Sequence, residues 1–116
     1  MSEQKVHEWI GKKVANDDVV LFMKGTRQFP QCGFSSQVVQ IMEYLGLEYS
    51  EVNVLDDLGI RDGIKTFTNW PTIPQLYVKG EFVGGCDIIR EMFQDGELQD
   101  LLTTKGIAHN KQTQTA

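Results

Sequence analysis

The chain has two thiols, Cys32 and Cys86, and one of them stands where a thiol becomes reactive. Cys32 lies in the stretch from Lys24 to Ser36, which reads Lys-Gly-Thr-Arg-Gln-Phe-Pro-Gln-Cys-Gly-Phe-Ser-Ser. Before that stretch comes Val19-Val20-Leu21-Phe22-Met23, an apolar, β-branched-rich run that predicts a buried strand. After it, Val38, Ile41, Met42 and Leu45 recur at helical spacing. Cys32 therefore falls between the end of a strand and the start of a helix. Unpaired backbone N–H groups and the positive end of the helix dipole gather there. They favour the thiolate, which is both the nucleophile and the metal-ligating form of cysteine. Lys24 and Arg27 add positive charge nearby. Two chemistries open from this: exchange with another thiol, and metal ligation. A plainer role as a small apolar cap fits less well, because inert cysteines lie inside elements and not on Pro/Gly loops.

Other residues suggest what such a thiolate would meet. Lys24 and Arg61 are cations of the kind that hold a carboxylate, arginine with two parallel hydrogen bonds. Gly84-Gly85-Cys86-Asp87 offers close backbone approach through its glycines. Asp87 is predicted as a helix N-cap, with N–H groups for an anion and a carboxylate for an ammonium.

The elements that must position these groups follow from periodicity. Glu3 to Ala15 predicts a first helix with Val6, Trp9, Ile10 and Val14 as its apolar stripe. The helix after Cys32 ends at Gly46. Tyr49 to Val54 predicts a second strand, and strand, helix and strand together make a right-handed βαβ unit. Asp56 to Phe67 predicts a short helix with Leu58, Ile60, Ile64 and Phe67 partly inward. Trp70 to Pro74 is incompatible with helix. Gln75 to Val78 and Glu81 to Val83, joined at Lys79-Gly80, predict an antiparallel hairpin. Helices follow from Asp87 to Gly96 and over Glu97 to Thr104. The expected architecture is α/β, a four-stranded mixed sheet with helices on both faces. Residues 1–106 are read as one domain, and 107–116 as a polar, disordered tail.

Composition narrows the partners. A chain of 116 residues is one domain. Its net charge of −5 argues against nucleic acid and anionic membrane surfaces. No apolar run approaches the roughly 18 residues that would span a bilayer. Met1 to Trp9 has no apolar signal core, so a cytoplasmic location is expected. Two cysteines do not make a disulfide scaffold. His7 and His109, near opposite ends, give no zinc-ligand spacing.

Four blocks stand in order: Met23-Lys24-Gly25-Thr26, Cys32-Gly33-Phe34-Ser35, Trp70-Pro71-Thr72-Ile73-Pro74-Gln75 and Gly84-Gly85-Cys86-Asp87. In type, order and spacing they resemble the monothiol glutaredoxins, over roughly Val6 to Leu102. The resemblance implies a thioredoxin fold with Cys32 as the active thiol. Ser35 stands where dithiol relatives carry the cysteine that resolves a mixed disulfide, so that two-thiol cycle is closed here. It further implies that Lys24 and Arg61 hold the glycyl carboxylate of glutathione, with Lys65 able to help. A cis Ile73–Pro74 bond would free the Ile73 backbone to pair with the ligand as an added strand. The backbone at Cys86 and Asp87 and the Asp87 side chain would take the γ-glutamyl end. Cys86 itself reads as a semi-buried free thiol, and a disulfide with Cys32 under oxidation stays open. A [2Fe–2S] cluster needs four ligands, usually thiolates. Cys32 from each of two protomers and two glutathione thiols make four. The function so implied is a cluster-bridged homodimer that carries clusters to apo-proteins, with BolA-like proteins as partners. The alternative is a glutathione-dependent oxidoreductase acting on protein–glutathione mixed disulfides.

Overall fold

The computed structural model describes residues 2–110. In chain order the elements are α1 (Glu3–Asn16), β1 (Val19–Met23), α2 (Gly33–Tyr44), β2 (Ser50–Asn53), α3 (Leu58–Thr68), β3 (Gln75–Val78), β4 (Glu81–Gly84), α4 (Cys86–Asp95) and α5 (Glu97–Thr104). The strands form one sheet in the order β2-β1-β3-β4. β1 and β2 are parallel, and the other pairs are antiparallel. A βαβ unit joined through α3 to a ββα unit is the thioredoxin fold that the motifs imply.

All five residues of β1 are buried, as a central strand covered on both faces requires. Side chains alternate along a strand, so β1 feeds two cores. Leu21 and Met23 pack with Val38, Met42, Ile89 and Leu98 of α2, α4 and α5. Val20 and Phe22 pack with Val6, Ile10, Ile60 and Ile64 of α1 and α3. The expected helices thus lie on both faces. Among the described residues, no helix is long and apolar enough to cross a membrane.

Several boundaries differ from expectation. In α1 the buried stripe is Val6, Ile10 and Val14, while Trp9, on its flank, is 38% exposed. α3 starts at Leu58, two residues later than predicted, because the Asp57 carboxylate caps it by accepting from the Gly59 and Ile60 N–H groups. Leu58 consequently faces solvent. Gly63 lies where α3 meets α1: a Cβ there would collide with Val6 Cγ1. α4 begins before Asp87. Gly85 is its N-cap, since the Ile89 N–H already donates to the Gly85 carbonyl at 2.9 Å. Asp87 lies in the first turn instead. Finally, Ile107 is buried and the Asn110 N–H donates to the Leu45 carbonyl at 2.7 Å. Residues 107–110 therefore pack on the domain, and the rest of the expected tail, 111–116, lies outside the described residues.

Candidate active site

Cys32 is the N-cap of α2, in extended conformation. Its Sγ accepts from the Ser35 N–H at 3.3 Å and lies 3.5 Å from the Ser35 hydroxyl. That hydroxyl is fully buried and also accepts from the Lys24 N–H at 3.1 Å. One serine thus clamps the thiol to the end of β1. Burial pushes the Cys32 pKa up. The Ser35 hydroxyl, the Ser35 and Phe34 N–H groups and the Lys24 charge outweigh it, and the net displacement is downward.

Arg27 is not part of this balance, contrary to expectation. Its Nε pairs with Glu51 at 2.5 Å, its Nη2 donates to the Tyr49 carbonyl at 2.6 Å, and its guanidinium stacks 4.0 Å from the Tyr49 ring centre. It ties the 24–31 loop to β2. Cys86 is buried, with Sγ 3.5 Å from Gln37 Oε1. Burial raises its pKa, and Asp87 and Cys32 add to this against Arg90. Both cysteines are free thiols.

A cavity of about 350 Å³ opens beside the thiol loop. Its wall is made by Lys24 and Phe34, by Lys65 of α3, by the Trp70–Pro74 loop and by Gly85 to Ile88 at the start of α4. Of the residues singled out by sequence, Lys24, Ile73, Cys86 and Asp87 meet here. Arg61 is absent from the wall, and Lys65, one turn further along α3, takes that place. Cys32 is not a wall residue itself, but Lys24, tied to the same Ser35 hydroxyl, and Phe34, two residues further along the chain, are. The Ile73–Pro74 peptide is cis, as the resemblance implies.

The register leaves the Ile73 backbone beyond the end of the β1–β3 ladder. β1 and β3 pair from Val19↔Val78 to Phe22↔Gln75, so the next hydrogen-bonded rung would set Ile73 opposite Lys24. The Lys24 N–H instead goes to Ser35, and its carbonyl accepts from Gln31 at 2.8 Å. Among the described residues the Ile73 backbone makes no hydrogen bond. Asp87 is 81% exposed at its side chain and pairs with Arg90 at 3.2 Å. Arg90 also reaches Gln37 at 2.9 Å. The sequence reading left out this contact, although Asp87 and Arg90 are at the i, i+3 spacing of helical pairs.

Known proteins place this geometry. Residues 19–83 match the family model for glutaredoxin. The chain is similar to "probable monothiol glutaredoxin 2" of Rickettsia typhi, 51% identical over 102 residues that cover 88% of this chain and 92% of that one. It is 56% identical over 93 residues to an uncharacterized monothiol glutaredoxin, ycf64-like, of Synechocystis, covering 80% and 87%. Its fold matches the solution structure of reduced poplar apo GrxS14 with a TM-score of 0.78 and 46% identity, over 90% of this chain and 97% of that one. A buckwheat glutaredoxin–glutathione complex matches with a TM-score of 0.79 and 25% identity, over 90% and 93%. The family model covers more than half of the chain, relatives near 50% identity cover most of it, and Cys32 stands with a serine three residues on; the chain belongs to the monothiol glutaredoxins.

Proposed function

We propose that the chain binds glutathione in this cavity, and that two protomers hold a [2Fe–2S] cluster as cargo for delivery to apo-proteins. The observation that carries the reading is Cys32: a half-exposed thiol of lowered pKa, clamped by a serine and not by a second cysteine, beside a cavity with two lysines. The cavity suits glutathione in each of its parts. Lys24 and Lys65 match the glycyl carboxylate, ahead of Arg61, which lies outside the wall. The unpaired Ile73 backbone suits the peptide in the middle. The first turn of α4 and the Asp87 carboxylate suit the γ-glutamyl carboxylate and ammonium. The buckwheat relative was solved with glutathione, which supports a ligand of this class.

Ligand counting supports the cluster. Among the described residues no three His, Cys, Asp or Glu side chains lie close enough to hold a metal together. Cys86 is buried and its pKa is raised, so Cys32 is the thiol of each chain best suited to ligate. Cys32 from two protomers and the thiols of two glutathiones then make a four-thiolate set. BolA-like proteins and apo iron–sulfur proteins are the partners this reading calls for. We set the activity in the cytoplasm, where two free thiols stay reduced. The test is reconstitution with iron and sulfide, with and without glutathione, followed by visible absorbance and size-exclusion chromatography. Absorbance and a dimer should appear together, and only with glutathione. A stable cluster on a monomer without glutathione would refute the reading.

The lowered Cys32 pKa favours a second reading, the oxidoreductase. The Cys32 thiolate would attack the glutathione sulfur of a protein mixed disulfide and expel the protein thiolate. A second glutathione thiolate would then attack the Cys32-bound glutathione, giving glutathione disulfide and restoring Cys32. A deglutathionylation assay on the cluster-free protein separates the two.

A further inference from the structure

We propose that Gln75 is the positioning residue of the ligand site: its buried amide holds the Trp70–Pro74 loop in the shape that presents the Ile73 backbone. This rests on the glutathione reading above. Gln75 opens β3 and is fully buried. A primary amide has two N–H donors and an oxygen with two acceptor sites, and here each faces a partner. Nε2 donates to the Trp70 and Thr72 carbonyls, both at 3.2 Å. Oε1 lies 3.2 Å from the Tyr77 hydroxyl and 3.0 Å from the Thr68 hydroxyl. Carbonyls can only accept, so the two of them fix which way the amide points. Tyr77 is the titratable group among these partners. Burial pushes its pKa up to about 12, so it stays a donor. Thr68 has a single hydroxyl proton, shared between Gln75 Oε1 and the Ile64 carbonyl at 2.7 Å, and its side chain joins the amide to the last turn of α3.

The Trp70 ring packs against Phe82 and the Ile73 side chain joins the core under α1 and α3, but few other hydrogen bonds fix the loop's backbone. Pro71 and Pro74 have no N–H to give. Among the described residues its one other hydrogen bond runs from the Trp70 N–H to the Lys65 carbonyl. The amide therefore anchors the loop at positions 70 and 72, and Ile73 follows directly. All five loop residues are in the cavity wall. A slack loop would let the Ile73 backbone leave its place opposite Lys24.

Two substitutions test this by calorimetry of glutathione binding, with circular dichroism as the check on folding. Gln75→Met keeps the bulk and removes all four contacts. It should weaken binding about tenfold or more with an unchanged spectrum. Gln75→Glu has no donor for the two carbonyls when ionised and regains one when protonated. Burial among carbonyls raises the pKa of such a carboxyl. Its binding should approach wild type at low pH and fall about tenfold as the carboxyl ionises, a pH dependence that a simple loss of packing would not produce. In wild type, the Gln75 side-chain amide protons should exchange slowly, and more slowly still with glutathione bound. Affinity within about twofold of wild type in folded Gln75→Met, no added pH dependence in Gln75→Glu, or amide exchange indifferent to glutathione would each overturn the proposal. A wild-type protein that binds no glutathione would sink the ligand reading itself, and with it the role given to Gln75.

Discussion

Replacing Ser35 by alanine should damage the protein in two separable ways, because its hydroxyl has two partners. The first is the Lys24 N–H at the end of β1, which the hydroxyl oxygen accepts at 3.1 Å. Orphaning a buried donor costs about 1–3 kcal/mol. Lys24 is only half-buried and water can reach part of the gap, so the low end applies, about 1 kcal/mol. For a domain of this size that is a fall of about 4 °C in Tm. The second partner is Cys32. Burial raises its pKa, and the Ser35 hydroxyl is the strongest of the groups that bring it down. Without it, the N–H groups of Ser35 and Phe34 and the Lys24 charge face the burial cost alone, and the midpoint should rise. The sign of the linkage follows. A depressed pKa stabilises the folded wild type above the ordinary thiol value and is lost as pH falls through the folded value. The gap in stability between wild type and Ser35→Ala should therefore widen as pH rises through that window, and shrink to the Lys24 part below it. Iodoacetamide alkylation rate against pH, in a Cys86→Ser background, reads the midpoint; thermal melts at several pH values read the stability. An alkylation midpoint that stays put or drops would refute the account, leaving the helix N-terminus as the whole cause.

The cavity lysines and the α1–α3 contact give further tests. Lys65→Gln should weaken glutathione binding about two- to fivefold, as expected for a partly exposed ion pair, and Arg61→Gln should do less; calorimetry giving the reverse order would restore Arg61 to the site. Gly63→Ala gains about 1 kcal/mol of helix propensity but forces a methyl onto Val6, which costs about 1–3 kcal/mol. Net destabilisation should appear in denaturant melts and should be relieved when Val6→Ala is added. In wild type, brief alkylation at neutral pH should label Cys32 well before Cys86, whose pKa is raised, as peptide mass spectrometry would show.

Regular periodicity made the fold legible. β1, α2 and the β3–β4 hairpin are patterned by long-range burial, and that pattern is written in residue type. Helix starts were less so, since caps depend on single local hydrogen bonds. Asp57 and Asp87 are equally good caps by type. Only Asp57 caps, because α4 already begins at Cys86 with Gly85 as its cap and Asp87 falls inside the first turn. Cys32, Lys24, Ile73 and Asp87 were legible because the motif blocks name them. Arg61 and Lys65 are one turn apart on the same helix, and sequence alone does not say which turn reaches the cavity. Arg27 was misassigned for a similar reason. Its neighbours in the chain suggest the thiol, whereas Glu51 and Tyr49, from a distant segment, capture it. The Gln75 network is invisible in sequence because its partners are main-chain carbonyls and two ordinary hydroxyls.

Both cysteines stand at the start of a helix, yet their thiols are displaced in opposite directions. Proximity to a helix N-terminus is therefore too coarse a rule for this fold. Cys32 occupies the N-cap itself. From there its Sγ turns back over the first turn and accepts from the Ser35 N–H, while Lys24 stands nearby. Cys86 is one position further in, as the first helical residue, with Gly85 as the cap. Its Sγ meets Gln37 Oε1, an oxygen with no proton to give, and Asp87 follows it. A single-residue shift thus decides whether the orphan N–H groups of a helix are spent on the sulfur. It also gives the two thiols different work: Cys32, its pKa lowered, stands beside the cavity, and Cys86, its pKa raised, lines the cavity wall. Moving the cap by one residue, with Gly33 deleted, should cost Cys32 its depressed pKa even though the sequence of the active loop is otherwise kept. An alkylation profile unchanged by that deletion would show that the loop, and not the cap position, makes the thiolate.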